Sequence, residues 1–393
     1  MSVSVKSNTL STGLAMFSMF FGAGNVVFPL ALGQYSRNHT GFAILGLLIT
    51  AVGVTFTGLI AMILFDGNYK HFFARIGKVP GFLVALVIMG LIGPFGAIPR
   101  CIALSYSTLQ IYFPDMALPL FSLISCSVIF AFTFKKNSIL DVLGYVLTPI
   151  LLFSLGFIIA KGLFISPVAP TTDLYPSDVF MKGLKDGYQT MDLLGAFFFS
   201  SVILACLKSE AAESHPKDDK KIIKMSLKAS AIGAFLLSTV YIGFSFVAAF
   251  HSDSLAGIPQ DKLIGTIAIN VLGPWAGIAA CVAVALACLT TAIALAAVFA
   301  EFVHNDVSAG KIGYIPSLVI TLVVSYFIST LNFMGIAAVL VPILQVCYPA
   351  LIVLSVLNIL YKLYHFKPVK APVFTVFALS LAGFIYESGF LRA

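Results

Sequence analysis

Three clusters of polar residues interrupt an otherwise apolar chain. Their chemistry is that of holding small ions and charged groups. The first is Phe21-Gly22-Ala23-Gly24-Asn25-Val26-Val27-Phe28-Pro29. Two glycines, an asparagine and a following proline weaken a helix. A half-helix starting near Asn25 offers its N–H groups and positive dipole end to an anion such as a carboxylate. The same small residues also suit close helix packing. The second cluster is Gly187-Tyr188-Gln189-Thr190-Met191-Asp192-Leu193-Leu194-Gly195-Ala196-Phe197. An ionisable Asp192 inside an apolar run is costly and marks a functional site, unless residues 185–192 form an approach helix in water. Gly195 offers a break point. The third is Ala287-Cys288-Leu289-Thr290-Thr291-Ala292. Adjacent hydroxyls either bond back to a carbonyl one turn earlier or supply oxygens to a hard cation.

The elements that must position these groups follow from composition. The chain has 393 residues, 60% hydrophobic and 10% charged, with a mean hydropathy of +1.03. Soluble domains carry about 25% charge. So few charges could not cover a water-facing surface, which excludes a soluble enzyme, a disordered chain and a nucleic-acid binder. The formal charge of +7 is therefore read as a topology signal. The expected fold is an all-α membrane protein of about 11 transmembrane helices, forming one polytopic domain over 1–393.

A crossing helix needs about 20 apolar residues. The apolar runs are 10–32, 42–65, 82–112, 117–134, 141–164, 185–208, 222–250, 266–303, 314–331, 335–361 and 371–390. They are continuous rather than alternating, so helices and not a barrel are expected. With the N-terminus inside, sixteen Lys and Arg residues face the cytoplasm and six face outward, while Arg100 lies within a span. That bias obeys the positive-inside rule. The charged run His215 to Lys228 reads as a cytoplasmic loop, and the proline-bearing 165–182 as an outer one. No cleavable signal peptide is evident, which suits a bacterial inner (plasma) membrane.

Spans 1 and 6 are both interrupted, and five spans separate them. An odd offset inverts the second half relative to the first, the pointer to a 5+5 inverted repeat with its site between discontinuous helices 1 and 6. The first repeat would be 10–164 and the second 185–361, with 371–390 an extra helix. Gly93-Pro94-Phe95-Gly96-Ala97-Ile98-Pro99-Arg100 distorts span 3. Arg100 there snorkels, pairs with an acid or gates a cavity. The six cysteines sit singly in apolar runs and read as small buried hydrophobes. Residues His39, His71, His215, His251, His304 and His365 fall in loops or at span ends, and no HExxH or GxSxG occurs. An intramembrane enzyme is therefore disfavoured. A channel lacks its repeated filter loop or ring of charges.

The run Phe20-Phe21-Gly22-Ala23-Gly24-Asn25-Val26-Val27-Phe28-Pro29 resembles the first-helix signature of the branched-chain amino acid:cation symporters. The runs Gly93 to Arg100 and Gly187 to Asp192 resemble that family's third- and sixth-helix motifs. The resemblance implies the leucine-transporter fold, within the larger superfamily of amino acid, polyamine and organocation carriers. It also implies a sodium ion between helices 1 and 8, held by the carbonyls of Ser18, Phe21 and Ala287 and the hydroxyls of Thr290 and Thr291. The substrate carboxylate would meet the N–H groups of Ala23, Gly24 and Asn25. The ammonium would meet carbonyls around Thr190 and Met191, with Asp192 helping. Phe197, Leu295 and span 3 residues would form the side-chain pocket, beside Thr291. The implied activity is sodium-coupled import of leucine, isoleucine and valine by alternating access, with no cofactor and no enzymatic step. A proton-coupled carrier, with Asp192 or Glu301 as the proton site, is the alternative on the same fold.

Overall fold

In lipid a backbone must satisfy its own polar groups, so continuously apolar runs become helices that break only at glycine, proline or a polar insert. The computed structural model describes residues 9–134, 139–166, 168–214 and 219–387, which are helical with short connections and, among these residues, no strand. The first apolar run is two helices, α1 (Thr9–Phe20) and α2 (Ala23–Ser36). The second holds α3 (Thr40–Leu47), a π-helical stretch at Leu48–Val54 and α4 (Thr55–Leu64). A short α5 (Tyr69–Ala74) leads to α6 (Lys78–Ile92) and α7 (Ala97–Leu109), divided at the Gly93–Gly96 turn. Then follow α8 (Leu118–Phe134) and α9 (Ile139–Phe164).

The second half opens with α10 (Pro176–Gln189) and α11 (Asp192–Ser214). It continues through α12 (Asp219–Phe250), α13 (Leu263–Leu272), α14 (Pro274–Phe302), α15 (Tyr314–Ser329), α16 (Asn332–Tyr364) and α17 (Lys370–Glu387). Among the described residues, six stretches are long and apolar enough to cross a membrane: Ala23–Leu64, Lys78–Leu109, Ile223–Phe250, Pro274–Val307, Asn332–Tyr364 and Lys370–Glu387. Leu118–Phe134, Pro149–Phe164 and Tyr314–Ser329 are shorter apolar helices.

Three expected boundaries move. The run 266–303 is not one helix. Gly273 takes a left-handed backbone (φ 84°) and Pro274 starts α14, so α13 stands apart. The sixth run begins earlier than 185, because Pro176 opens α10 inside the stretch read as an outer loop. In the charged run, residues 215–218 lie outside the described residues, whereas 219–228 are helical and extend α12.

Packing places α2 against α12, α7 against α14, and α10 against α3. The last contact is intimate. A Cβ on Gly46 would fall on the Phe180 carbonyl, and one on Gly183 on the Ala43 carbonyl. Small residues let membrane helices approach at backbone distance. By contrast, α17 packs on α16 and has Val373 as its buried side chain.

Candidate functional site

Two helix breaks face each other in the interior. At the first, α1 stops at Phe20 and Gly22 is extended (φ −120°, ψ −166°) before α2 begins. The Gly22 N–H leaves the helical ladder and donates to Asn25 Oδ1 at 3.0 Å, and the Asn25 N–H donates back to the Gly22 carbonyl at 3.2 Å. Asn25 thus caps its own half-helix, as an amide oxygen does for orphan N–H groups. At the second break, Met191 adopts φ 64° between α10 and α11. A non-glycine residue in that region is uncommon, and such strain concentrates at functional sites. The breaks touch at Gly24, where a Cβ would lie 3.0 Å from both the Gln189 carbonyl and Thr190 Cα. The α10 end is itself tied down by the Thr190 hydroxyl, which donates to the Gly187 carbonyl at 2.9 Å.

A buried polar triangle joins the two breaks to α12. Asn25 Nδ2 donates to both Asp192 oxygens, at 2.9 and 2.8 Å, and to the Tyr241 hydroxyl. The Tyr241 hydroxyl donates to Asp192 Oδ2 at 2.9 Å. Asp192 is 3% exposed, so it is not in water at a membrane edge. Its carboxylate is engaged by protein donors while still lining the cavity wall. The Asn25 N–H, expected to face a substrate carboxylate, is likewise engaged by Gly22, whereas the side chain does the structural work.

Behind the first break lies a set of oxygens. Thr291 Oγ1 lies 3.0 Å from the Ala287 carbonyl and 3.4 Å from the Phe21 carbonyl, and Thr290 Oγ1 lies 2.9 Å from the Ala287 carbonyl. Back-bonding within α14 accounts for the contacts to Ala287. It does not account for the reach of Thr291 across to Phe21 on the other helix. Phe21, Ala287, Thr290 and Thr291 therefore come together, with Ser18 one turn before Gly22 on α1. Hydroxyl and carbonyl oxygens without carboxylates are donors for a hard cation.

Between the breaks, α7 and α14 is a cavity of about 50 Å³. Ala23, Gly24, Asn25, Thr190, Met191, Asp192, Thr291 and Leu295 all line it. Phe197 does not, which corrects that expectation. Its ring packs 5.3 Å from those of Phe72 and Phe73. Because α11 starts at Asp192, its period brings Gly195 and Phe199 to the cavity and turns residue 197 away. Phe199 and Phe20 stand at the wall instead, rings 6.1 Å apart. Sequence reasoning singled out Arg100 without assigning it; the guanidinium is on this wall. It gave Gln189 no role, although that residue lies in the second cluster, and it missed Tyr241, a lone polar residue in an apolar run without a spacing pattern.

A helical membrane protein whose two broken helices meet at an internal cavity is, as a class, a small-molecule transport protein rather than an enzyme. The comparisons agree. The chain is similar in structure to Mhp1 in its inward-facing conformation, with a TM-score of 0.65 at 15% identity, covering 95% of this chain and 84% of that one. It is also similar to Mhp1 in a closed conformation with bromovinylhydantoin bound, a nucleobase-cation-symport-1 family transporter, with a TM-score of 0.62 at 14% identity, covering 97% and 92% of the two chains. These likenesses establish the fold, which is the one the sequence resemblance implied. The model of the family "branched-chain amino acid transport protein" matches residues 5–391, and the chain belongs to that family. Among its relatives, the branched-chain amino acid permease BrnQ of Bacillus subtilis (strain 168) is 31% identical over 369 residues, 90% of this chain and 81% of that protein. The permease BraB of the same organism is 29% identical over 368 residues, 91% and 81% respectively.

Proposed function

We propose that the protein imports leucine, isoleucine and valine by sodium symport with alternating access. The observation that carries this reading is the approach of Thr291 on α14 to the Phe21 carbonyl at the end of α1. That contact gathers hydroxyl and carbonyl oxygens from two helices into a set fit for a monovalent cation, beside the cavity between the breaks. A zwitterion needs a donor patch and an acceptor patch a few ångströms apart. The start of α2 and the carbonyls around Thr190 provide them. An apolar wall of Phe20, Phe199 and Leu295 favours an aliphatic side chain, and discriminates weakly among the three, since one methylene is worth about 1–3 kcal/mol.

In this reading sodium bound between α1 and α14 favours the outward-open state and orders the substrate site, and low internal sodium releases both. The chain sits in a bacterial inner membrane with its N-terminus cytoplasmic, as the placement of Lys and Arg suggests. Helices α1 to α9 and α10 to α16 act as inverted halves, with α17 outside the repeat. The test is uptake of labelled leucine into proteoliposomes under an inward sodium gradient, against an equal potassium gradient at fixed pH. Sodium-dependent accumulation is expected. Uptake indifferent to sodium but driven by an inward proton gradient would overturn the coupling ion and select the proton-coupled alternative. No leucine uptake under any gradient would overturn the substrate.

A further inference from the structure

We propose that the guanidinium of Arg100 is the subsite for the substrate's carboxylate, a reading that rests on the amino acid transport proposed above and deepens it. Arg100, on α7, is 2% exposed and lies on the cavity wall. Among the described residues no Asp or Glu forms an ion pair with it. The one acid on that wall, Asp192, is engaged by Asn25 and Tyr241. What holds the guanidinium is neutral: NH1 donates to the Gln189 carbonyl at 3.0 Å and NH2 to Gln189 Oε1 at 3.2 Å. The rings of Phe28 and Phe333 lie 5.4 and 5.6 Å away. A buried cation without an anion is costly.

The polar groups left unmet here are of one kind. Arg100 Nε and Gln189 Nε2 are both buried without a partner, and both are N–H donors. Across the cavity the first turn of α2 adds backbone donors. With Asp192 engaged by Asn25 and Tyr241, these donors face no anionic acceptor of their own. A carboxylate brings two oxygens with about four acceptor sites, matched to the fork of a guanidinium. An ammonium brings a second cation and more donors, which Arg100 repels. The substrate is thus oriented with its carboxylate toward α7 and the start of α2, and Arg100 makes that carboxylate a condition of binding. Leucinamide, equal in side chain but neutral at the carboxyl end, is the compound this site rejects.

The test measures binding of leucine and of leucinamide to the purified full-length protein at saturating sodium, by ligand-induced thermal stabilisation. Wild type is expected to prefer leucine by about 30-fold or more, the scale of losing one partner of a buried, hydrogen-bonded charge pair. In Arg100→Gln the leucine affinity falls by a similar factor, leucinamide changes by less than about threefold, and the preference collapses. Arg100→Lys keeps the charge and an intermediate preference. A merely structural Arg100 would weaken both ligands together. An unchanged preference in Arg100→Gln overturns the assignment, as does a wild type that binds leucinamide as well as leucine. The second comparison and Arg100→Lys decide the matter if Arg100→Gln does not fold. A wild type that binds neither compound overturns the amino acid function itself, a distinct result.

Discussion

Thr291 is where the site's chemistry is most exposed to a single substitution. Its hydroxyl is the group that spans from α14 to the Phe21 carbonyl. Thr291→Ala removes that oxygen and leaves Thr290 and the carbonyls of Ser18, Phe21 and Ala287 in place. A lost ligand to a charged group is worth about 1.5–3 kcal/mol, so half-saturating sodium in leucine uptake should rise by about tenfold or more. The ranking of leucine, isoleucine and valine should not change, because the cavity's apolar wall is untouched. A sodium titration identical to wild type would remove this cluster from the mechanism. At this scale the sequence was partly legible. Asn25 and Asp192 stood out because a polar group in an apolar run is costly, and they do meet. What the sequence could not reveal was that they meet each other: an isolated polar side chain announces a need for a partner, not its identity. Tyr241 and Gln189 are partners of that kind.

The breaks in the elements were partly readable: Gly22 and the Gly93–Gly96 turn are local causes of helix termination, whereas the sixth run breaks at Met191 and α11 runs unbroken through Gly195. Register across a break was not readable. Phe197 was misplaced because a left-handed turn at Met191 resets the helical phase, and the face of α11 depends on the residue at which it restarts. Gly273 separated two helices for a similar reason: the Gly273-Pro274 step is visible in the sequence, but the left-handed turn that splits the long apolar run is not. Gly24 offers a test of how closely the breaks are fitted. In a helix, glycine to alanine ordinarily gains up to about 1 kcal/mol. Here the added methyl would press on the backbone of Gln189 and Thr190 at 3.0 Å, and overpacking costs about 1–3 kcal/mol. Gly24→Ala should therefore lower the melting temperature in detergent and reduce leucine uptake. A raised melting temperature with full uptake would show that the contact yields freely.

Over the whole molecule, the balance of charge is the controlling quantity. A zwitterion carries no net charge, so in the proposed cycle each sodium ion moves one positive charge inward with its amino acid. A potential of 100 mV, inside negative, supplies about 2.3 kcal/mol per charge, equivalent to about a 50-fold gain in accumulation. Leucine accumulation in proteoliposomes should rise toward that factor when a valinomycin-clamped potassium diffusion potential is imposed at constant sodium. An unchanged accumulation would contradict single-cation symport. Composition alone marked the membrane class, and the spacing of interrupted runs pointed toward the architecture. The close approach of α3 and α10 through Gly46 and Gly183 was beyond it, because glycine pairs acquire meaning only once the helices are adjacent.

The triangle of Asn25, Asp192 and Tyr241 has a mechanical consequence. It fastens α2, α11 and α12 at one point by side chains from all three. A buried polar node shared by three helices opposes their separation there, since parting them would leave its polar groups unpaired. The breaks beside it, at residues 21–22 and 190–191, carry their own ties, from Gly22 to Asn25 and from Thr190 to Gly187. The node thus ties the two broken helices directly to each other through side chains, with α12 as the third member of the tie.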